Sequence, residues 1–181
     1  IIGGAEKGEG LGRAVGSALL RDKCPYNHYS LLARARELDV PVTVHVAIGT
    51  DTIHFHPGAD GSSIGKTSHL DFRIFADLIS KLEGGVFIHM GSAAILPEVF
   101  LKALTLVRNL GYNTKRFTTV NMDFIKSYRP VTNVVQRPVL EGGEGYSLVG
   151  HHEIMFPLLA AAVIEDLERL GDGLSGSTFI T

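Results

Sequence analysis

The stretch from residue 84 to residue 112 constrains the fold most, because it reads as a complete strand, turn and helix. Val86–Met90 is a short, mostly apolar run, which predicts a strand buried on both faces. Pro97 fits the first turn of a helix, and Gly111 fits its left-handed end. Between them lies one apolar stripe at helical spacing, made of Val99, Phe100, Ala103, Leu104, Val107 and Leu110.

A second strand is predicted at residues 117–120, so the two strands and the helix between them form a βαβ crossover. Gly91, Ser92 and Ala93 follow the first strand directly. Parallel sheets bind ligands at the carboxyl ends of their strands, and small side chains there let a ligand approach the backbone. These three residues are therefore predicted to contact a cofactor.

Composition and charge exclude several classes of protein. The net charge is −2 and no basic patch is visible, so no nucleic-acid partner is expected. The 181 residues, 45% of them hydrophobic, suit a single α/β domain over 1–181. No apolar run approaches the roughly 18 residues of a membrane span, and no signal peptide is visible, so we expect a cytoplasmic protein without membrane contact. The chain opens on Ile1 without a methionine, which suggests an N-terminally incomplete fragment.

The rest of the chain alternates predicted strands and helices, which favours an open, mainly parallel sheet flanked by helices. The last helix has a strongly apolar face, formed by Leu158, Leu159, Ala162, Val163 and Leu167. In chain order the predictions are a glycine-rich loop at 3–12, helices at 11–21 and 29–38, a strand at 40–48, a polar loop at 51–68, a helix from 68, a strand at 132–137, a turn at 141–145, a helix at 152–170 stopped by Gly171, and a loose tail at 172–181.

Residues 61–67, Gly-Ser-Ser-Ile-Gly-Lys-Thr, approximate the phosphate-binding loop of nucleotide hydrolases. That motif has four residues between its first glycine and the Gly-Lys pair, whereas this chain has three. It also follows a buried strand, whereas His54-Phe55-His56-Pro57 precedes the segment here. We therefore exclude a nucleotide hydrolase, although Lys66 could still meet an anion.

Six of the eight histidines lie near predicted strand ends or turns: His45, His54, His56, His89, His151 and His152. His54 and His56 would place two imidazoles on one face of a strand, a usable pair of metal ligands. Glu153 or Asp51 could add a carboxylate for zinc or iron. The same histidines also fit as pocket-lining or buried polar residues, and no recognised ligand spacing is present, so no metal site is assigned.

Residues 118–123, Thr-Thr-Val-Asn-Met-Asp, place polar side chains after a buried strand. A carboxylate at this place commonly binds ribose hydroxyls, by analogy with other folds of this kind. Asp123 could equally cap the helix that follows. Gly49, Thr50 and Asp51 make another small and polar turn at the end of a predicted strand.

The order and spacing of these segments resemble the deoxyhypusine synthase family over residues 40–164. Val40-Pro41-Val42, Gly49-Thr50-Asp51 and Asp60-Gly61 look like one conserved region of that family. Gly91-Ser92-Ala93 stands where the family has a triple glycine beside its cofactor. Residues 118–123 fall at its Asn-Thr-Ala segment, and Phe156-Pro157-Leu158-Leu159 is similar to the start of its last helix. The resemblance implies a Rossmann-like, NAD-binding fold.

The same resemblance argues against aminobutyl transfer. Leu96-Pro97-Glu98 falls where the family has a Lys-His-His group, and Gln136-Arg137-Pro138 falls where its imine-forming lysine should be. Arginine cannot replace that lysine, because a guanidinium with a pKa above about 12 does not lose its proton. His151, His152 and Glu153 occupy the place of an aspartate, and they could act as acid–base groups toward a substrate.

The sequence therefore leaves three hypotheses. The first is a protein of the deoxyhypusine-synthase type that binds NAD or a related nucleotide, with Gly49, Thr50, Asp51, Gly91, Ser92, Ala93, Thr119, Asn121 and Asp123 at the cofactor and His151, His152 and Glu153 at a small-molecule substrate. The second is a metal-dependent enzyme that uses His54, His56 and the His151-His152-Glu153 group. The third is a non-catalytic homo-oligomeric scaffold, assembled through the helix at 152–170.

Overall fold

The computed structural model describes residues 1–175, and the side chains of residues 1–170. Its α-helices are α1 (Ile2–Lys7), α2 (Leu11–Arg21), α3 (Leu31–Glu37), α4 (Gly61–Ser80), α5 (Ile95–Asn109), α6 (Tyr128–Pro130) and α7 (His152–Ser175). Its strands are β1 (Val86–Met90), β2 (Thr118–Asp123) and β3 (Glu144–Val149). Short 3₁₀ turns occur at Asn27–Tyr29, Thr52–Phe55 and Arg137–Val139, and a π-helical segment at Val131–Gln136.

The three strands form one parallel sheet in the order β1-β2-β3. Val86 pairs with Thr118, which pairs in turn with Glu144, so the sheet has no stagger at its amino end. The prediction of an α/β chain with an open parallel sheet is confirmed. The sheet is small, and its strand order does not reverse within these three strands.

Both connections between strands lie on the same face of the sheet. Crossovers between parallel strands are right-handed in nearly all proteins, so two crossovers that advance in the same direction must cover the same face. The first runs through α5, and the second runs through α6 and the π-helical segment, which packs against α5, β2 and β3. We call this covered side the inner face. It carries Phe87 and His89 from β1.

Aromatic and aliphatic side chains fill the space between the inner face and the helices. Phe87 and Phe100 stack with ring centroids 3.7 Å apart, and Phe117 meets Phe100 edge-on at 6.5 Å. Burying each such ring stabilises the fold by about 1.5–3 kcal/mol. The buried members of this core are Ala76, Ile79, Phe100, Ala103, Leu104, Val107, Phe117 and Val134.

The opposite side of the sheet, which we call the outer face, is largely uncovered along its two edge strands, whereas Met122 of the central strand is buried. Ile88 remains 44% exposed and Leu148 42% exposed, and Val86 and Tyr146 beside them are exposed as well. Parallel sheets normally have both faces buried. The uncovered outer face is therefore the main departure of this chain from the architecture that its strand pattern predicts.

Asp71 of α4 connects the amino-terminal helices to the rest of the molecule. Its buried Oδ2 accepts hydrogen bonds from the backbone N–H of Gly12 at 2.9 Å and of Val44 at 2.8 Å. A side chain on Gly10 would overlap the Asp71 carboxylate, and one on Gly12 would overlap the backbone of Val42. The glycines of this segment therefore allow close packing, and residues 2–7 form α1, so the prediction of a loop at 3–12 is wrong.

Three predicted elements differ from the structure because tertiary contacts compete with local preference. Residues 40–47 join no strand and residue 48 begins a turn, since Asp71 and Ser68 of α4 bind the backbone N–H groups of Val44 and Val46. Residues 132–137, predicted as a strand, lie in the π-helical segment and the turn that follows it. The predicted turn at 141–145 ends in β3, which the sequence analysis missed.

Several predicted boundaries are also wrong. Helix α4 begins at Gly61 and not at residue 68, because the Asp60 carboxylate caps it by accepting from the N–H of Ser63 at 2.8 Å. The second strand extends to Asp123, and Leu110 is exposed instead of joining the α5 stripe. Helix α7 passes Gly171 and continues to Ser175, and the remainder of the predicted tail lies outside the described residues.

We expect Asp71→Ala to destabilise the protein by about 3 kcal/mol, because it leaves two backbone N–H groups buried without a charged acceptor. Asp77→Ala is the matched control on the same helix. Asp77 forms only an exposed ion pair with Lys81, and its loss should cost at most about 0.5 kcal/mol. Urea unfolding measures both free energies. Equal losses in the two variants would contradict the connecting role of Asp71.

Candidate functional site

The turn after β1 is open, as the sequence predicts. Gly91 has φ 74°, a left-handed conformation that suits glycine, and its N–H donates to the carbonyl of Met122 at 3.2 Å. Gly91, Ala93 and Ala94 are exposed, so no bulky neighbour fills the bend. The Ser92 hydroxyl accepts from the N–H of Leu96 at 3.2 Å and so helps to cap α5.

The structure brings one member of the predicted histidine group to this turn. The Nε2–H of His152 donates to the Met122 carbonyl at 3.1 Å. The His152 ring also lies 3.6 Å from the position that a Cβ on Gly91 would take. His151 and Glu153 are exposed at the start of α7. The carboxyl edge of the sheet therefore holds Gly91 and His152 side by side.

The polar residues of β2 lie on the inner face and not on an open edge. Thr119, Asn121 and Asp123 are all buried, because β2 is longer than predicted and they fall inside it. The Thr119 hydroxyl has no hydrogen-bond partner among the described residues. Asp123 Oδ1 accepts from the N–H of Phe124 at 2.8 Å, and of the three residues it lies nearest the carboxyl end.

Gly49, Thr50 and Asp51 form a turn held mainly by its own contacts. Gly49 has φ 88°, Asp51 Oδ2 accepts from the N–H of Ala47 at 2.7 Å, and the Thr50 hydroxyl donates to the Ala47 carbonyl at 3.1 Å. None of these hydrogen bonds reaches Gly91, Ser92 or Ala93. The described contacts therefore do not unite the two predicted halves of the cofactor site.

His89 is the functional candidate that the sequence analysis did not assign to a site. It is only 3% exposed, and its Nδ1–H donates to Asn121 Oδ1 at 2.7 Å. Its Nε2 has no hydrogen-bond partner among the described residues. Burial lowers the pKa of His89, against the opposing effects of Asn121 and the Asp123 carboxylate. The sequence did contain a signal for this site. His89 lies two residues after Phe87 in an otherwise apolar strand, so it shares the inner face of the sheet with Phe87.

A cavity of about 220 Å³ lies between residues 43–45 and β1. His45 faces it with its Nε2 3.1 Å from the Thr43 hydroxyl, and its ring meets Phe75 edge-on at 5.3 Å. Burial lowers the pKa of His45, and the Asp71 charge opposes that shift. The residues that line the cavity are Thr43, His45, Phe75, Phe87, Ile88, His89, Met90, Leu96 and Val99.

The other candidate features from the sequence, the metal ligands and the phosphate-loop-like segment, do not form a site in the described residues. Among the described residues, no three His, Cys, Asp or Glu side chains are grouped to hold a metal ion. Residues 61–67 form the first two turns of α4 and not a phosphate loop. A cavity of about 590 Å³ beside α1 has a mostly apolar lining that includes His56 and Asp60.

No helix in the described part of the chain combines the length and apolar character needed to cross a bilayer.

Comparison of the chain with protein-family models, with curated proteins and with solved structures finds no match. The resemblance to the deoxyhypusine synthase family therefore stays a prediction from the sequence.

The buried histidines predict that acid destabilises the protein. An unfolded histidine titrates near pH 6.5, and burial lowers the folded-state pKa of His45 and His89. Below about pH 6.5 the unfolded chain therefore binds more protons than the folded one, so the free energy of unfolding falls as pH decreases until the folded-state pKa values are reached. Each histidine contributes a slope of at most about 1.4 kcal/mol per pH unit.

Urea unfolding between pH 7.5 and pH 5 measures this slope. His89→Gln should reduce the slope relative to the unsubstituted protein. His69→Gln, an exposed position on α4, is the matched control and should leave it unchanged. An unaltered slope in His89→Gln would show that His89 does not contribute to the acid destabilisation.

Proposed function

We propose that this chain binds NAD or a related nucleotide at the carboxyl ends of β1 and β2, as a Rossmann-like protein of the deoxyhypusine-synthase type. The observation that carries the proposal is the open glycine turn after β1 in a wholly parallel sheet. Ligands of such sheets bind at this edge, where Gly91 and Ala93 leave the backbone accessible.

The start of α5 limits which part of a nucleotide fits there. Ser92 occupies the N–H of Leu96, Pro97 has no N–H, and Glu98 adds a negative charge to the first turn. The Glu98 carboxylate is held by Asn133 Nδ2 at 2.7 Å and lies 3.8 Å from Arg129. A diphosphate would therefore gain more from the exposed backbone of the turn than from the helix dipole of α5.

His152 is the residue best placed to act on a substrate beside the turn. Because its Nε2 donates to the Met122 carbonyl, the neutral ring keeps a lone pair on Nδ1 that can accept a proton. In this proposal His151 and Glu153 contact the substrate from the exposed start of α7. Aminobutyl transfer is not part of the proposal, since Arg137 stands near the expected lysine position and donates to Asn133 Oδ1 at 3.2 Å.

Nucleotide binding should raise the melting temperature, because a ligand at 100 times its Kd stabilises the folded state by about 2.7 kcal/mol. We expect NAD to raise it by several degrees in the unsubstituted protein. Ala93→Asp should abolish the shift, since it adds charge and bulk to the exposed turn. Ala59→Asp, in the exposed loop before α4, is the matched control and should keep it. NADP, adenine nucleotides, polyamines and divalent metals complete the panel, and no shift with any nucleotide would overturn the proposal.

The uncovered outer face favours a second candidate, a homo-oligomer with or without catalysis. Val86, Ile88, Tyr146 and Leu148 expose a group of large apolar side chains on this face, and large exposed apolar patches mark interaction sites. A stable interface buries about 800 Å² per partner. Self-association through the outer face and α7 would bury Ile88, Leu148 and Leu158, which face solvent in the single chain.

Two charges on the outer face should prevent such assembly. We expect Ile88→Lys combined with Leu148→Lys to shift the protein toward monomers, because like charges on a shared apolar face repel across the interface. Leu31→Lys on α3, at an equally apolar and more exposed position, is the matched control and should leave the assembly intact. Analytical ultracentrifugation at micromolar concentration measures the mass. An unsubstituted protein that sediments as a monomer would contradict the oligomer.

A further inference from the structure

We propose that the cavity between the 43–45 segment and β1 binds a small, uncharged, planar molecule that donates one hydrogen bond to Nε2 of His89. This proposal does not rest on the nucleotide at the glycine turn. It rests on a buried imidazole nitrogen without a partner, the hydrogen bond that fixes its proton, and the size and lining of the cavity.

Asn121 decides which nitrogen of His89 carries the proton. The Asn121 carbonyl oxygen accepts from Nδ1 at 2.7 Å, so the neutral ring has its proton on Nδ1 and a lone pair on Nε2. Burial lowers the pKa of His89, which keeps the ring neutral at pH 7. Nε2 is therefore an acceptor, and a ligand that fits it must bring an N–H or O–H donor.

The unpaired Nε2 is costly in the fold as it stands. His89 is 97% buried and lines the cavity, yet no described residue donates to its Nε2. Almost all buried polar atoms in folded proteins have a hydrogen-bond partner, so an exception inside a cavity indicates a place for a bound molecule. Nε2 itself has almost no accessible surface, so a donor from a ligand would satisfy the atom only after a small movement of the side chains that separate it from the cavity.

The lining and volume of the cavity indicate the size and polarity of the remainder of the ligand. Phe75 and Phe87 provide aromatic surface, and Leu96 and Val99 provide aliphatic surface. A cavity of about 150 Å³ lined by such side chains holds benzene, so one of 220 Å³ holds a six-membered ring with a small substituent. An anion is disfavoured, because both imidazoles in the cavity have a lowered pKa and are uncharged at pH 7.

Phenol and anisole test this proposal, because they share one ring and differ in the donor. We expect phenol to bind the unsubstituted protein about three- to tenfold more tightly than anisole, the ratio that one net hydrogen bond gives. Ligand-observed NMR titration at pH 7.5 measures both affinities. In a ¹H–¹⁵N spectrum of the histidine side chains, phenol should shift the Nε2 resonance of His89 more than any other.

Two variants separate the hydrogen bond from the cavity. His89→Phe keeps a ring at the position but removes the acceptor, so the preference for phenol should disappear. Val99→Trp fills the cavity from α5 and should block both ligands, and it keeps the test valid if His89→Phe does not fold. Ala93→Asp changes only the glycine turn, and phenol should bind it as it binds the unsubstituted protein.

Equal affinities for phenol and anisole, or no binding of either at millimolar concentration, would overturn the proposal. Binding that persists in Val99→Trp would place the ligand elsewhere and would also overturn it. The nucleotide panel is unaffected by these outcomes, because it reports on the turn after β1. Failure of either proposal is therefore distinguishable from failure of the other.

Discussion

The handedness of parallel crossovers controls this structure more than any single contact. Three consecutive strands joined by two crossovers in the same direction can cover only one face of their sheet. Helix α5 and the π-helical segment pack there, and α4 packs against α5 with its Phe75 beside Phe87 of β1. Together they bury Phe100, Leu104 and Val134. The outer face then has no helix from these connections. Its apolar residues are exposed as a consequence of topology and not of an unusual composition.

A polar row crosses the inner face at one level of the sheet. His89 of β1 pairs in register with Asn121 of β2, which pairs with Ser147 of β3. His89 and Asn121 satisfy one another, whereas Nε2 of His89 and the Ser147 hydroxyl lack partners among the described residues. Polar atoms in a core normally reduce stability when unpaired. Because these unpaired atoms lie close to the carboxyl edge of the sheet, binding of a ligand explains their presence better than packing of the core does.

Local sequence signals were sufficient where the chain makes its own contacts. The bounds of Val86–Met90 and the buried stripe from Phe100 to Val107 were predicted correctly. The expected burial of that strand on both faces is wrong, since Val86 and Ile88 are exposed. The strand predicted at 40–48 does not form. Side chains of α4, distant in sequence, bind the backbone N–H groups of Val44 and Val46 that a sheet would need.

The candidate site was predicted in part for the same reason. The glycine turn and His152 follow from strand ends and were found, whereas the depth of Asn121 depends on where β2 stops. The apolar pattern predicts an end at residue 120, three residues early, which places Asn121 and Asp123 at the edge instead of in the core. The π-helical segment could not be predicted from local preference either. Val131–Gln136 is rich in β-branched residues, which favour a strand, and packing against α5, β2 and β3 holds it in its helical conformation.

Helix α7 contacts the carboxyl edge of the sheet at its start and exposes apolar residues along the rest of its described length. Its first turn contacts the carboxyl edge through His152, while residues such as Leu158 and Leu167 lie exposed further along. Pro157 inside the helix cannot donate to the carbonyl of Glu153, so the first turn is held less firmly by its own backbone. A partner that covered α7 would hold His152 against Gly91, and a ligand at Gly91 would in turn favour that partner. Such reciprocity holds for any two binding events that stabilise the same arrangement of one element.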